Sequence, residues 1–170
     1  GGIWFGWDGN VVGEGESLAP NSLELDGVTA VTVPLTQRDF EEYYLGFANR
    51  ALWPVFHYRL DLAEFSSNFV EGYRRVNARF ADELVKLLRP GDQIWVHDYH
   101  LIPLGAELRA RGIEQSIGFF LHIPFPPPDV LVATPEHGWL AESIFAYDMI
   151  GLQTEADLNN LQRYVLDHCQ

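Results

Sequence analysis

Two short stretches place a chemically competent side chain directly after an apolar run. They are Trp95-Val96-His97-Asp98-Tyr99-His100 and Phe119-Phe120-Leu121-His122-Ile123-Pro124-Phe125-Pro126. A carboxylate at a strand end, as Asp98 would be, can accept hydrogen bonds from sugar hydroxyls. It can equally cap the next helix, with His97 and His100 only satisfying backbone groups. His122 also ends an apolar run, and the prolines after it stiffen the loop. A stiff loop holding a polar residue suits a preorganised site; a core histidine with proline packing reads the same way. Tyr43-Tyr44 followed by Trp53 offers flat apolar faces with a donor, which suits sugar rings and phosphates or plain core packing. Trp4 and Trp7 carry the same two readings. Zinc at His97 and His100 is disfavoured, with no His-Glu-x-x-His helix and no third ligand at convincing spacing. There is no Gly-x-Gly-x-x-Gly, no Walker loop and no Gly-x-Ser-x-Gly elbow. The single cysteine, Cys169, has only His168 nearby, which argues against a thiol nucleophile.

The elements around these stretches set where they would lie. Residues 8–27 are rich in Gly, Asp, Glu, Asn and Ser and read as an exposed loop. Val28 to Leu35 is β-branched and short, hence a strand. Thr36-Gln37-Arg38-Asp39 resembles a capping box with Asp in place of Glu. A helix should follow through Phe40, Tyr43, Tyr44 and Phe47, interrupted at Trp53-Pro54 because the residue before proline avoids the helical region. The clearest helix runs from Phe69 to Arg89, its apolar residues stepping by three and four. Pro90-Gly91-Asp92 stops it. Gln93–His97 is a strand, Leu104–Arg111 a helix and Ile117–Leu121 a second buried strand. Pro124–Asp129 is an ordered, proline-rich loop. Glu136–Tyr147 is a helix, Asp148–Leu152 a strand, and Thr154–Cys169 a helix capped by Thr154. Strand and helix alternate from residue 69 onward, and the strands lack polar alternation. That is the signature of an α/β fold with a doubly wound, Rossmann-like parallel sheet covered on both faces. In such a sheet ligands bind beyond the carboxyl ends of the strands, which is where Asp98 and His122 fall.

The chain has 170 residues, 47% hydrophobic and 14% aromatic. One domain of that size buries roughly two thirds of its unfolded surface, enough for a real core. The apolar content excludes disorder. No run of about 18 apolar residues exists, so no membrane span is expected. Eleven basic and 24 acidic residues give a net charge of −13. Such a surface repels nucleic acid and anionic membranes. One cysteine allows no internal disulfide framework and fits a reducing, cytoplasmic setting. The aromatic start, Gly1-Gly2-Ile3-Trp4-Phe5-Gly6-Trp7, and a final helix that simply stops lead to the expectation of a fragment of a longer protein.

Several stretches together resemble the trehalose-6-phosphate synthase family, glycosyltransferase family 20. They are Gly1–Trp7, Glu42-Tyr43-Tyr44, Ala51–Tyr58, Trp95–Leu101, Gly118–Pro126, and Tyr147-Asp148 with Gly151–Glu155. They occur in order along nearly the whole chain. The resemblance implies the incomplete N-terminal half of a two-domain B-type glycosyltransferase. Residues 1–170 would be most of the acceptor-side domain, without its first strand and glycine loop and without the C-terminal donor domain.

The same resemblance assigns roles. Tyr44 would contact the phosphate end of the acceptor, glucose-6-phosphate. Trp53 would line the acceptor pocket and Trp7 would sit near its mouth. Asp98 would hold acceptor hydroxyls. His122 would lie by the donor glucose, with Ile123 shaping the pocket beside it. The reaction implied is glucosyl transfer from a nucleotide-glucose, UDP-glucose above all, to give trehalose-6-phosphate with retained configuration. No carboxylate pair of the glycosidase kind is evident; the family works by front-face transfer, the leaving phosphate helping to deprotonate the acceptor. Neither metal nor cofactor is implied, and a homo-oligomer is compatible. The cations that hold the donor diphosphate would lie outside this chain, so the fragment alone is expected to be inactive. Asp8 stands where the family often has Ser. Three alternatives remain at this point: a sister enzyme such as glucosylglycerol-phosphate synthase, a catalytically silent regulatory domain of the same fold, and an interaction module whose exposed face recruits its missing half.

Overall fold

The computed structural model describes residues 1–168. Cys169, and with it the end expected for the last helix, lies outside the described residues. The chain opens with β1 (Gly2–Gly6), β2 (Val11–Val12), β3 (Asn21–Leu25), β4 (Val28–Thr32) and β5 (Leu35–Thr36). β1 runs parallel to β4, β3 pairs antiparallel with β4, and β2 pairs parallel with β5. The expected loop over residues 8–27 therefore contains two strands. The signal for β3 is Asp26-Gly27, whose φ values of 49° and 82° make a two-residue hairpin turn. Positive φ at both central residues matches the right-handed strand twist, and Asp-Gly tolerates it. The strand expected to continue to Leu35 breaks after Thr32, and Leu35 instead joins β2 through its N–H, 3.2 Å from the Asn10 carbonyl.

The next helix is continuous from α1 (Gln37–Asp39) through a π-helical stretch, Phe40–Leu52, into α2 (Trp53–Phe56). The Thr36 hydroxyl caps it as expected, accepting the Asp39 N–H at 3.0 Å. The expected interruption at Trp53-Pro54 does not occur. Trp53 keeps helical dihedrals, φ −56° and ψ −49°, and the Arg50 carbonyl accepts the Glu64 N–H at 2.8 Å. Pro54 falls in the first turn of α2, where a missing N–H is tolerated. π-helical winding is rare and concentrates at functional sites; here it carries Tyr43 inward and leaves Tyr44 half-exposed.

After a short 3₁₀ turn, α3 (Ser67–Val85) packs along the π-helix and buries Tyr73, Val76 and Phe80. Its last regular residue precedes the expected end at Arg89. Then follow β6 (Gln93–His97), α4 (Leu104–Ala110), β7 (Ser116–Phe120), α5 (Pro128–Leu131), α6 (His137–Ile144), β8 (Met149–Gly151) and α7 (Glu155–His168). β6, β7 and β8 form a parallel sheet in that order. The α/β class with parallel sheets holds. α6 is shorter than expected at its C-terminal end, and the proline loop yields α5 at its end. α7 is capped as expected: Thr154 Oγ1 accepts the Asp157 N–H at 3.2 Å and donates to Asp157 Oδ2 at 2.6 Å.

One expectation about the sheet needs correction. β6 alternates between exposed and buried residues rather than being covered on both faces. Trp95 is 50% exposed. Its ring lies over Gly118, its register partner on β7, where an added Cβ would overlap it. Among the described residues β6 lies at one edge of its sheet, and the face that carries Trp95 lines a cleft.

Candidate functional site

Two hydrogen bonds from α3 position the exit of β6. Tyr73 donates its hydroxyl to the Tyr99 carbonyl at 2.6 Å, and Asn77 Nδ2 donates to the His100 carbonyl at 3.1 Å. From α6 onward, Tyr147 performs the same service for the Leu101 and Ile102 carbonyls, at 3.0 and 2.9 Å. Buried carbonyls need such partners, and here they hold the loop that carries Asp98 in place.

Asp98 sits at the carboxyl end of β6 with φ of 73°. Its N–H donates to the Phe120 carbonyl at 2.8 Å. Both hydrogen bonds to its side chain fall on Oδ1, from the Tyr99 N–H at 3.0 Å and the His122 N–H at 3.2 Å. Asp98 therefore bridges the exits of β6 and β7, and Oδ2 is the oxygen left for a ligand hydroxyl. It does not cap the following helix: α4 begins at Leu104 with Pro103 as its N-cap. Its left-handed backbone is tolerable because Asp, unlike most residues, visits that region readily.

His122 lies two residues past the end of β7. Its carbonyl accepts Gln153 Nε2 at 2.7 Å, and its ring Nε2 lies 3.0 Å from His97 Nδ1. The proline loop behind it is anchored by the buried Phe125 N–H, which donates to Asp157 Oδ1 at 2.9 Å. His97 and His100 are thus more than backbone partners. The His100 ring meets Tyr99, at 4.0 Å between centroids, and Tyr44, at 5.6 Å with nearly parallel planes. Tyr44 in turn meets Trp7 edge-on at 4.9 Å. Trp7 Nε1 donates to the Asn10 carbonyl at 2.7 Å, which fixes the ring.

The structure therefore connects four of the six singled-out residues: Trp7 touches Tyr44, Tyr44 reaches Asp98 through His100 and Tyr99, and Asp98 holds His122. Trp7, Tyr44, His97 and His100 line a cleft of about 1010 Å³ between β1 and β6. Trp53 and Ile123 stand apart from that chain of contacts. Trp53 is 41% exposed and stacks on His57 at 4.0 Å. Ile123 is partly buried against the core. The contacts of His97 with the His122 ring and of Gln153 with the His122 carbonyl join segments far apart in the chain, so residue spacing does not announce them.

Charge at the site is held by burial. Burial, then the Asp98 charge and Tyr44, push the Tyr99 phenol up to about 12, so it stays a donor, to Asn49 Oδ1 at 2.8 Å. Burial lowers the pKa of His100 below its ordinary 6.5, with Asp98 opposing. His97 is lowered by burial and then by His122, again against Asp98. Both rings bind a proton less readily folded than unfolded. Stability should therefore be level above about pH 6.5 and fall as the pH drops from there toward the lowered folded values. Urea unfolding at about pH 7.5 and 5.5 is expected to show a lower midpoint at the acid end, with a smaller difference in His100→Asn. Equal midpoints in the unmodified protein would contradict this assignment.

Comparison with known proteins places this geometry. The profile of glycosyltransferase family 20 matches residues 1–165. The trehalose-6-phosphate synthase of Sinorhizobium fredii is 53% identical over 160 residues, covering 94% of this chain and 34% of that protein. Among solved structures, an alpha,alpha-trehalose-phosphate synthase (UDP-forming) from Burkholderia xenovorans, in complex with glucose-6-phosphate, superposes with a TM-score of 0.95. It is 48% identical, and the match covers 98% of this chain and 37% of that one. An Escherichia coli structure bound with UDP-2-fluoro glucose gives a TM-score of 0.90 at 43% identity, over 97% of this chain and 36% of that one. The chain spans about a third of the length of these relatives. No helix among the described residues is long and apolar enough to cross a membrane.

Proposed function

The chain belongs to glycosyltransferase family 20, and from that premise we propose that its full-length protein transfers glucose from UDP-glucose to glucose-6-phosphate, giving trehalose-6-phosphate with retained configuration. The observation that carries the reading is Asp98: a carboxylate at the carboxyl end of a parallel strand, pinned through Oδ1, which leaves Oδ2 for a hydroxyl of the acceptor. Ligands of open α/β sheets bind at that edge. The B. xenovorans relative was crystallised with glucose-6-phosphate and the E. coli one with a UDP-glucose analogue, which supports both substrates.

In this reading Asp98 accepts hydroxyls of the acceptor sugar, and the phenol of Tyr44 meets its phosphate. Trp7 packs on Tyr44 at the mouth of the acceptor site and Trp53 lines it further along the helix. His122 lies by the donor glucose with Ile123 beside it. The protein works by holding two sugars in register, while cations supplied by the rest of the protein stabilise the leaving diphosphate. The net charge of −13 suits a half that holds mainly the acceptor. The chain would be most of an N-terminal acceptor-side domain in a cytoplasmic enzyme.

The test is nucleotide release with product analysis on the full-length protein, using UDP-glucose and glucose-6-phosphate. Trehalose-6-phosphate is the expected product. Release only with a smaller phosphorylated polyol would point to the sister synthase, and no release from a folded protein to a silent domain.

A further inference from the structure

His122 is held at its backbone from two sides, by Asp98 and by Gln153, but those bonds leave its ring free to turn about χ1 and χ2. Among the described residues its ring meets one polar side chain, His97, with Nδ1 of His97 3.0 Å from Nε2 of His122. The ring centroids are 5.2 Å apart, with 30° between planes. Trp95 stands edge-on to His97 at 5.9 Å, and Phe120 packs on His122 at 4.8 Å. Asp98 is the charged group beside the pair. The main-chain register that makes the contact places His97 opposite Phe120, two residues before His122.

A hydrogen bond between two neutral imidazoles contains one proton. If His97 Nδ1 carries it, His122 accepts at Nε2 and must carry its own proton on Nδ1. If His122 Nε2 carries it, His122 Nδ1 is an acceptor. Either way, the bond couples the two tautomers and decides what His122 presents on its other nitrogen. Two protonated rings would face N–H against N–H, so the contact also opposes double protonation. The lowered pKa of His97 agrees with that.

We propose that His97 is a positioning residue: through its Nδ1 it fixes the orientation and tautomer of His122, and so the hydrogen bond that His122 can make with the donor sugar. This rests on the reading that places His122 beside that sugar. His97 acts through His122 and does not touch the reacting atoms.

The test uses the full-length protein with His97→Leu, which removes the polar atom, and His97→Asn, whose amide places a donor and acceptor near the Nδ1 position. His97→Leu is expected to lower kcat about tenfold or more, the effect of a misplaced group, while KM for glucose-6-phosphate stays within about twofold. His97→Asn is expected to recover most of the loss. Independently of activity, the imidazole ¹⁵N shifts of His122 should report one tautomer in the unmodified protein and an averaged pair in His97→Leu. Unchanged kcat in His97→Leu, or unchanged His122 shifts, would overturn the proposal. If His97→Leu fails to fold, His97→Asn decides: His122 shifts of an averaged pair there, despite the amide, overturn it, and shifts of one tautomer support it. Failure of the unmodified protein to transfer glucose would refute the functional reading instead, and the ¹⁵N measurement would still decide whether His97 sets the state of His122.

Discussion

Asp98→Ala in the full-length protein is expected to lower kcat/KM for glucose-6-phosphate by about two to three orders of magnitude. The arithmetic is that of two charge-assisted hydrogen bonds to sugar hydroxyls, at about 1.5–2 kcal/mol each. A second effect accompanies it. Asp98 Oδ1 is the acceptor for the His122 N–H at 3.2 Å, so truncation also frees the start of the loop that carries His122. A third is conformational: φ of 73° costs an alanine about 1 kcal/mol more than an aspartate. Asp98→Asn separates these contributions. It keeps the left-handed backbone and, through its single oxygen, an acceptor for both N–H groups, while an uncharged NH2 donor takes the place of the Oδ2 acceptor. It is expected to fall between the two, about tenfold below the unmodified protein. Steady-state kinetics with both substrates, alongside thermal unfolding, distinguishes the chemical loss from the structural one. Full activity in both variants would remove Asp98 from the acceptor site.

The second large effect is on stability. Asp39 is 4% exposed and joins two arginines of α3: Arg75 at 2.8 Å and Arg79 at 3.3 Å. Arg75 also pairs with Glu42 at 2.8 Å. Burial pulls the Glu42 carboxyl up, but its hydrogen bonds and charge pairing with Arg75 and Arg38 hold it below the usual range. Burial lowers the Arg79 pKa, and Asp39 is the group that opposes this most. Removing one member of a buried ion pair leaves the other charge uncompensated, typically at about 3–5 kcal/mol. Arg75 reaches solvent and retains Glu42, so Asp39→Ala is expected to cost less, about 2–3 kcal/mol. Arg79 would keep the Pro34 carbonyl at 3.0 Å and the charge of Glu83, a weaker influence on it than Asp39. Urea unfolding should show the loss as a shifted midpoint with little change in slope. A cost below about 0.5 kcal/mol would mean that the network contributes specificity rather than stability. The site would feel the damage, because this network joins α1 and the start of the π-helix that carries Tyr44 to α3, and α3 holds the exit of β6 through Tyr73 and Asn77.

Much of this molecule was legible from residue order alone. The helix α3 shows a three-and-four apolar spacing, β6 is an apolar run ended by Pro-Gly-Asp on one side and Asp98 on the other, and Thr36 and Thr154 are caps. These are local properties, set by backbone sterics and by hydrogen bonds within a few residues. The placement of Asp98 and His122 at the carboxyl ends of β6 and β7 followed from those strands and from the parallel class of the sheet.

What escaped residue order depends on partners distant along the chain. The helix passes Pro54 with Trp53 in helical geometry, and the Arg50 carbonyl finds its donor on Glu64, well beyond the helix. β1 and β3 exist because β4 lies between them; neither has a buried apolar run of its own. β6 exposes Trp95 on the face that lines the cleft, which no single strand's composition announces. His97 and His122 are 25 residues apart, and only the register of β6 against β7 brings their nitrogens to 3.0 Å. Residue types and short spacings determined which groups could do chemistry. Which of them touch was decided by tertiary structure, because that depends on the register and packing of segments whose separation local energetics does not encode.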